Sequence, residues 1–247
     1  MITLKSEDEI EKMRASGAIV AGALRLVSER IAPGVRTGEL DRLVEEYIVS
    51  EGGEPSFKGY NGFPGSICAS INDQVVHGIP GERELKEGDI ISVDVGVAMN
   101  GYHGDSAATF AVGAIDANGT RLLEVTRRAL AKGIEMARPG NFLTDISHAV
   151  QMEAEGAGFS VVRKLVGHGI GRKMHEEPQV PNYGRPGRGV LLREGMVLAI
   201  EPMVNAGGYD VRVLEDDWTV VTVDGSLSAH FEHTVAIRAD GPDILTS

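Results

Sequence analysis

Residues 90–106 read IISVDVGVAMNGYHGDS, and this stretch decides the fold. Two runs suited to β-strands flank Asn100-Gly101, a dipeptide that favours the two-residue turn of a β-hairpin. With that turn, Asp105 faces Gly96 and lies one diagonal step from Asp94 on the same face of the sheet. A bulge at Gly104 would shift this register. The stretch therefore predicts two carboxylates about 7–8 Å apart on one surface of an antiparallel sheet.

The composition predicts a globular protein with a large core. Of the 247 residues, 42% are hydrophobic and 24% are charged, and the net charge is −12. An acidic chain without a basic tract is not drawn to nucleic acid or to anionic membranes by its overall field. The single cysteine, Cys68, excludes an internal disulfide and a multi-cysteine zinc site. We expect one domain over residues 1–247.

The N-terminal residues indicate the compartment. Residues 1–9, MITLKSEDE, are charged where a secretory signal would be apolar. The apolar residues 18–24 are too few to cross a bilayer. We therefore expect a cytoplasmic protein that does not insert into membranes.

The remaining periodicity predicts helices and strands in alternating groups. Ser6 and Glu9 form a capping box that opens the first helix. Further helices are predicted over residues 39–49, 121–137 and 143–155. Strands are predicted over residues 66–71, 90–98, 102–112, 160–166, 196–203, 219–223 and 229–237, and Asp224-Gly225 predicts a hairpin between the last two. The order indicates an α+β domain of two similar halves, and a short echo between residues 77–80 (HGIP) and 168–171 (HGIG) supports this.

Acidic residues lie inside segments that otherwise resemble buried strands. Asp94, Glu201 and Glu232 each lie in an apolar run. A buried carboxylate without a partner costs several kcal/mol, so such groups are normally neutralised by a cation or a metal. Singly, each acid is explained by a salt bridge with an arginine or by a turn. Together they suggest one site.

Asp105 and His168 complete a candidate ligand set. Glycines 167 and 169 leave room for a close approach of the backbone around His168. The set of one nitrogen and four carboxylates is Asp94, Asp105, His168, Glu201 and Glu232. It suffices for two divalent ions, and its oxygen-rich chemistry suits Mn, Fe(II), Co or Zn in a hydrolytic site. Two such ions can activate a water and polarise a carbonyl.

Several motifs along the whole chain resemble one family. They are residues 72–80 (NDQVVHGIP), 94–96 with 104–105, 167–171 (GHGIG), 175–178 (HEEP), 200–202 (IEP) and 232–234 (EHT). Their order and spacing are similar to those of the type I methionine aminopeptidases, which belong to the pita-bread metallopeptidases. The resemblance implies a pita-bread fold, with two pseudo-symmetric halves of antiparallel sheet covered by helices.

The resemblance also implies a role for each site residue. Asp94 would bind one metal ion and His168 the other, with Asp105 and Glu232 bridging both. Glu201 would be a ligand that also shuttles protons. His77 and His175 would contact the peptide and the tetrahedral intermediate rather than a metal ion. The residues that match the methionine pocket are Tyr60, Phe63, Cys68 and Trp218.

Two positions depart from the family's pattern. Asn61 stands where a histidine is common, and Met174 stands where an aromatic residue is usual. Both changes are expected to alter the shape of the pocket and thus fine specificity. Ordinary core packing is the alternative explanation for the four pocket residues, above all for Phe63.

The implied function is removal of the initiator methionine from nascent proteins when the second residue is small. The resemblance implies a dinuclear metallo-exopeptidase, a monomer, whose role is compatible with contact to the ribosome. One alternative is a proline-specific aminopeptidase or dipeptidase of the same fold, although those usually carry an additional N-terminal domain. The other is a non-catalytic binding scaffold, which loss of ligand residues would mark.

Overall fold

The predicted hairpin forms the centre of the first half of the molecule. The structure, a computed structural model, describes residues 2–247. Strands β4 (Ile90–Met99) and β5 (Tyr102–Ala111) pair in one uninterrupted antiparallel ladder. Gly96 faces Asp105 and Asp94 faces Ala107, as the turn at Asn100-Gly101 requires. The predicted register is therefore confirmed, and no bulge interrupts it at Gly104.

Two helices cover this first sheet. The elements are α1 (Glu7–Arg30), α2 (Thr37–Ser50), β1 (Glu54–Pro55), a 3₁₀ turn (Tyr60–Gly62), β2 (Ile67–Ile71) and β3 (Gln74–Val76). Strand β4 is central: β1 and β2 pair along one edge and β5 pairs along the other. The capping box is present, because Ser6 Oγ accepts the Glu9 N–H and the Glu9 carboxylate accepts the Ser6 N–H.

The second half repeats the plan with another helix pair. Its elements are α3 (Ala117–Glu135), α4 (Leu143–Gly156), β6 (Ser160–Val161), β7 (Gly167–Gly169), β8 (Glu176–Val180), β9 (Val197–Ile200), β10 (Met203–Asn205), β11 (Val211–Val213), β12 (Val220–Thr222), β13 (Ser228–His230), β14 (His233–Arg238) and β15 (Gly241–Ile244). The main sheet has the order β15-β14-β9-β7-β8. Smaller sheets join β13-β10-β6 and β11-β12-β3.

Each half has its own apolar core. One core lies between α1, α2 and the β4 sheet and contains Val20, Val44 and Val93, all completely buried. The other lies between α3, α4 and the β9–β14 sheet and contains Leu122, Val150 and Ile200. This arrangement confirms the predicted α+β class with two similar halves, each a sheet covered by helices. Among residues 2–247, no helix has both the length and the apolar character needed to span a membrane.

Three long strands predicted in the second half are interrupted in the structure. The predicted strand 160–166 is only β6, and His168 lies within the separate strand β7 instead of following it. The predicted strands 196–203 and 229–237 break at 201–202 and 231–232. The Glu201-Pro202 break has a local cause, since proline has no N–H for a ladder. Each break contains one of the candidate ligand acids, Glu201 or Glu232.

The predicted hairpin at Asp224-Gly225 is wrong. Strand β12 pairs with β11 and β3, whereas β13 pairs with β10. The Asp224 carboxylate accepts N–H bonds from Ser226 and from the distant Gly208, so this turn is tied to another loop. The flanking strands therefore enter different sheets.

Candidate metal centre and substrate pocket

The candidate ligands meet where the two main sheets approach each other. Asp94 and Asp105 lie on β4 and β5. Glu201 directly follows β9, and Glu232 lies between β13 and β14. His168 pairs with Ala199 of β9, which brings it beside Glu201.

Backbone and hydroxyl bonds fix the junction between the sheets. The Glu232 N–H donates to Ala107 O of β5 at 2.9 Å. Thr234 Oγ1 accepts the Asp105 N–H at 3.0 Å and donates to Asp105 O at 2.8 Å. The Ser106 hydroxyl donates to Glu232 O. These bonds place the Asp105 and Glu232 side chains next to each other.

His168 presents a free ring nitrogen to the carboxylates. Its Nδ1 lies 2.9 Å from Gly169 O, so Nδ1–H donates there and Nε2 keeps its lone pair. Nε2 lies 3.6 Å from Glu201 Oε1 and 3.9 Å from Asp105 Oδ2. A Cβ on Gly167 or Gly169 would collide with the carbonyl of Ala199 or Glu177, so the neighbouring strands require both glycines. Burial lowers the pKa of His168 to about 4, which keeps the imidazole neutral.

The carboxylates lack ordinary counter-ions. Asp105 and Glu232 are only 4% and 2% exposed, and Glu201 is half-buried. Within residues 2–247, the only basic groups within 4 Å of these acids are the imidazoles of His168 and His230. Asp94 Oδ1, Asp105 Oδ1 and Glu232 Oε1 are buried without a hydrogen-bond partner in this part of the chain. Such groups require a proton or a cation.

The pKa values reflect this environment. Burial raises the pKa of Asp94 to about 7. Burial, followed by the charges of Glu232 and Asp94, raises the pKa of Asp105 well above its ordinary value. Burial and neighbouring carboxylates likewise raise the pKa values of Glu201 and Glu232. The donor atoms of Asp105, His168 and Glu232 lie within 4.8 Å of one another, a spacing suited to a shared metal ion.

All the candidate site residues named from the sequence line one cavity of about 200 Å³. They are Tyr60, Phe63, Cys68, His77, Asp94, Asp105, His168, His175, Glu201, Trp218 and Glu232. Phe57 and the two departing residues, Asn61 and Met174, complete the lining. The structure thus brings the whole predicted set together around one space.

The two remaining histidines are held at the cavity wall. The His175 ring lies 4.2 Å from the His168 ring, and its Nδ1 is 3.0 Å from the Tyr60 hydroxyl. His77 has a left-handed φ of 58° and packs edge-on against Trp218. Burial lowers the pKa of His77 to about 4 and also lowers that of His175. Both rings are therefore neutral near pH 7. The echoed residues His77 and His168 occupy a loop and a strand, respectively.

One end of the cavity is apolar. Phe57, Phe63, Cys68 and Met174 form a buried cluster, with Trp218 packed against it. The Phe63 and Trp218 rings meet edge to face at 5.1 Å. Burial raises the pKa of the Cys68 thiol well above its ordinary value, so it stays neutral. An unbranched thioether side chain suits such an end, because sulfur gains from aromatic neighbours.

His230 was missed in the sequence reasoning. It is 1% exposed, and its Nε2 lies 3.8 Å from Glu201 Oε2 and 3.9 Å from Glu232 Oε2. The available signal was its position two residues before Glu232. Within the predicted strand 229–237, alternation places these two side chains on one face. Burial lowers the pKa of His230 to about 3.

Comparisons with known proteins show which family the chain is similar to. The model of metallopeptidase family M24 matches residues 11–239. A methionine aminopeptidase of Clostridium perfringens is 58% identical over 100% of this chain and 99% of its own length. The solved structure of methionine aminopeptidase from Thermotoga maritima matches with a TM-score of 0.99 at 51% identity, covering 100% of both chains. Prolidase from Pyrococcus furiosus shares the fold, with a TM-score of 0.81 at 24% identity over 99% of this chain and 65% of its own.

Proposed function

The chain belongs to metallopeptidase family M24, and we propose that its cavity is the active site for hydrolytic removal of N-terminal methionine. The activity follows from relatives of that activity matched over their full length at 51–58% identity. The chain is a metal-dependent aminopeptidase that acts on peptides with N-terminal methionine, as the resemblance in the motifs implies. The proline-specific alternative has support only at the level of the fold.

The single observation that carries the metal site is a group of buried acids without a Lys or Arg partner among the described residues. Their orphaned oxygens and the free Nε2 of His168 fit a divalent metal. We assign the ligands as Asp94, Asp105, His168, Glu201 and Glu232. Two ions are proposed, because five side chains rich in carboxylates can share ligands between them. Mn, Fe(II), Co and Zn all suit this set.

Divalent ions bound here would act as Lewis acids that polarise the scissile carbonyl and lower the pKa of a water. Glu201 would carry a proton between an attacking water and the leaving amine. His77 and His175 are neutral and supply N–H donors to the peptide and to the developing oxyanion, which stabilises the transition state selectively. The Tyr60 hydroxyl at His175 Nδ1 holds that ring in place.

We propose that specificity comes from the apolar end of the cavity and from its limited volume. The cluster of Phe57, Phe63, Cys68 and Met174, with Trp218 beside it, takes the methionine side chain. The limited volume of about 200 Å³ favours a small second residue. Asn61 and Met174 contribute to the lining and tune this shape.

We also propose the oligomeric state, the compartment and the natural substrate of the enzyme. Residues 1–247 act as one catalytic domain, a monomer in the cytoplasm, on N-terminal methionine of nascent proteins. Contact with the ribosome fits that role. The net charge of −12 argues against nucleic-acid binding by the chain itself.

The test is peptide hydrolysis with controlled metal content. Protein freed of metal by a chelator is expected to be inactive, and Mn, Fe(II), Co or Zn added singly should restore cleavage of Met-Ala-Ser. Metal analysis of anaerobically purified protein identifies the ion and the number bound. Faster cleavage of Ala-Pro peptides than of Met-Ala-Ser, or full activity without metal, would overturn the proposal.

A further inference from the structure

His230 is a buried polar side chain that no role described above uses. It is the last residue of β13, and its Nε2 has no hydrogen-bond partner among residues 2–247. A buried polar atom without a partner is rare in folded proteins and calls for an explanation. Carboxylate oxygens of two proposed metal ligands, Glu201 and Glu232, lie within 4 Å of this nitrogen.

The backbone of His230 is fixed on both sides. Thr109 Oγ1 accepts the His230 N–H at 2.9 Å and donates to His230 O at 2.8 Å. On the opposite side, His230 pairs with Met203 of β10. The ring therefore projects from a rigid strand end, and a movement of about 1 Å brings Nε2 within hydrogen-bonding distance of either carboxylate.

The two imidazoles divide the oxygens of Glu201 between them. His168 Nε2 is nearest to Oε1 at 3.6 Å, and His230 Nε2 is nearest to Oε2 at 3.8 Å. His230 is also 3.9 Å from Glu232 Oε2, whereas Glu232 Oε1 is one of the orphaned atoms. His230 thus lies near one oxygen of each acid. The other oxygen of Glu201 faces His168, and the other oxygen of Glu232 has no hydrogen-bond partner among residues 2–247.

We propose that His230 is a positioning residue whose Nε2–H donates to Glu201 and Glu232 and turns their other oxygens toward the metal centre. The inference rests on the proposed metal centre. It differs from a ligand role, because a donor N–H has no lone pair to offer a metal ion. Partners that orient metal ligands typically change metal affinity 10–100-fold when they are removed, roughly the effect expected here.

The test compares His230→Gln with His230→Asn. The glutamine amide nitrogen reaches the place of Nε2, whereas the shorter asparagine amide does not, and both variants keep a polar side chain of similar character. The Kd for Mn²⁺ is measured by titration calorimetry on metal-free protein, together with kcat and KM for Met-Ala-Ser. His230→Asn should weaken Mn²⁺ binding roughly 10–100-fold and lower kcat with little change in KM. His230→Gln should retain affinity within roughly threefold.

Pulsed electron paramagnetic resonance of the Mn²⁺-loaded protein separates a donor from a ligand. The nitrogen coupling to Mn²⁺ should be the same in the wild type and in His230→Gln, because His168 supplies the coordinating nitrogen. A weaker nitrogen coupling in His230→Gln than in the wild type would overturn the positioning role in favour of direct ligation. Equal affinities in the wild type and both variants would also overturn it, as would equal weakening in both.

A separate variant distinguishes failure of this inference from failure of the metal centre. His168→Ala should abolish the nitrogen coupling and weaken Mn²⁺ binding more than either His230 variant. If His168→Ala binds Mn²⁺ like the wild type, the proposed centre itself is wrong. If only the His230 variants behave like the wild type, the centre stands and the role of His230 does not.

Discussion

Glu176, the residue after His175, and the four acids that line the cavity with His175 differ in whether a lysine or arginine lies beside them. Glu176 with Lys5 is called the partnered group, and the four cavity acids are called the unpartnered group. Glu176 has Lys5 as its partner, with Lys5 Nζ 2.6 Å from Oε2 and both side chains largely buried. Glu176 also accepts the Lys173 N–H at 3.2 Å. The carboxylates of the candidate metal centre have no lysine or arginine within 4 Å in residues 2–247.

The pKa values of the two groups move in opposite directions. Burial alone would raise the pKa of Glu176, but the bonds from Lys5 and Lys173 outweigh it and lower that pKa. At Asp105, burial and the neighbouring Glu232 and Asp94 all act to raise the pKa. Burial of an acid therefore indicates a metal site only where no lysine or arginine of the chain pairs with that acid.

Removal of a carboxylate from the unpartnered group should have the largest effect. Asp105→Asn keeps the shape but removes the negative charge that a metal ion requires. Because Lewis-acid catalysis supplies several kcal/mol, the activity should fall on the order of 10³-fold or more. Peptide hydrolysis and metal analysis measure the loss, and circular dichroism checks the fold.

Asp243→Asn is the matched control for that change. Asp243 is bonded to Arg14 at 2.7 Å and to Arg238 at 3.1 Å, and the hydrogen bond from Arg14 lowers its pKa. The activity of this variant should equal that of the wild type. If Asp105→Asn and Asp243→Asn retain the same activity, the distinction between partnered and unpartnered acids has no functional meaning.

Replacement of Lys5 tests whether the partnered acid, Glu176, depends on its cation for folding stability. Lys5→Met leaves Glu176 buried without its partner and should cost about 3 kcal/mol of folding stability. Lys5→Met with Glu176→Gln should recover most of that loss, because no unpaired charge remains. Urea unfolding measures both free energies. Equal stabilities of the single and double variants would mean that the pair contributes no more than exposed ion pairs do.

His175 precedes Glu176 in the chain and lines the cavity with the unpartnered acids, so its role can be tested separately from both groups. His175→Ala removes the N–H donor that we propose stabilises the oxyanion, so kcat should fall on the order of 10²-fold. The bound metal should stay at the wild-type level, because His175 is not among the proposed ligands. Loss of metal from this variant would show that His175 helps to bind the metal, contrary to the role proposed for it.

The sequence predicts the first half of the molecule better than the second for a physical reason. The β4–β5 hairpin is local, so the turn at Asn100-Gly101 and the alternation of side chains suffice to place Asp94 and Asp105. Strands β9 and β14 are joined by non-local pairing, and their breaks at Glu201 and Glu232 depend on neighbours distant in sequence. The Asp224-Gly225 turn misled for the same reason. Local turn chemistry does not tell which strand becomes the partner.

Site residues were predictable where a carboxylate interrupted an apolar run. That signal found Asp94, Glu201 and Glu232, the hairpin register found Asp105, and the flanking glycines found His168. It could not find His230, since a buried histidine beside a strand end is compatible with ordinary core packing. What distinguishes His230 is its distance of 3.8–3.9 Å from two acids, which only the fold reveals.

The smallest predicted effect is a pH dependence of the stabilisation by metal. In metal-free protein, burial raises the carboxyl pKa values, and that of Asp94 lies at about 7. Between the ordinary and the raised pKa, the folded state holds more protons than the unfolded state. The stability of metal-free protein therefore falls as pH rises through this interval.

Bound Mn²⁺ takes the place of those protons, so its stabilising effect should grow as pH rises from about 6 to 7. One released proton corresponds to about 1.4 kcal/mol per pH unit, which is about 3 °C in Tm for a chain of this size. Thermal unfolding with and without saturating Mn²⁺ at several pH values measures this slope. Asp243→Asn should keep the slope, and Asp105→Asn should flatten it. A metal-induced shift independent of pH would show that no carboxyl of the unpartnered group releases a proton on binding, and would remove the electrostatic difference on which the comparison with Glu176 depends.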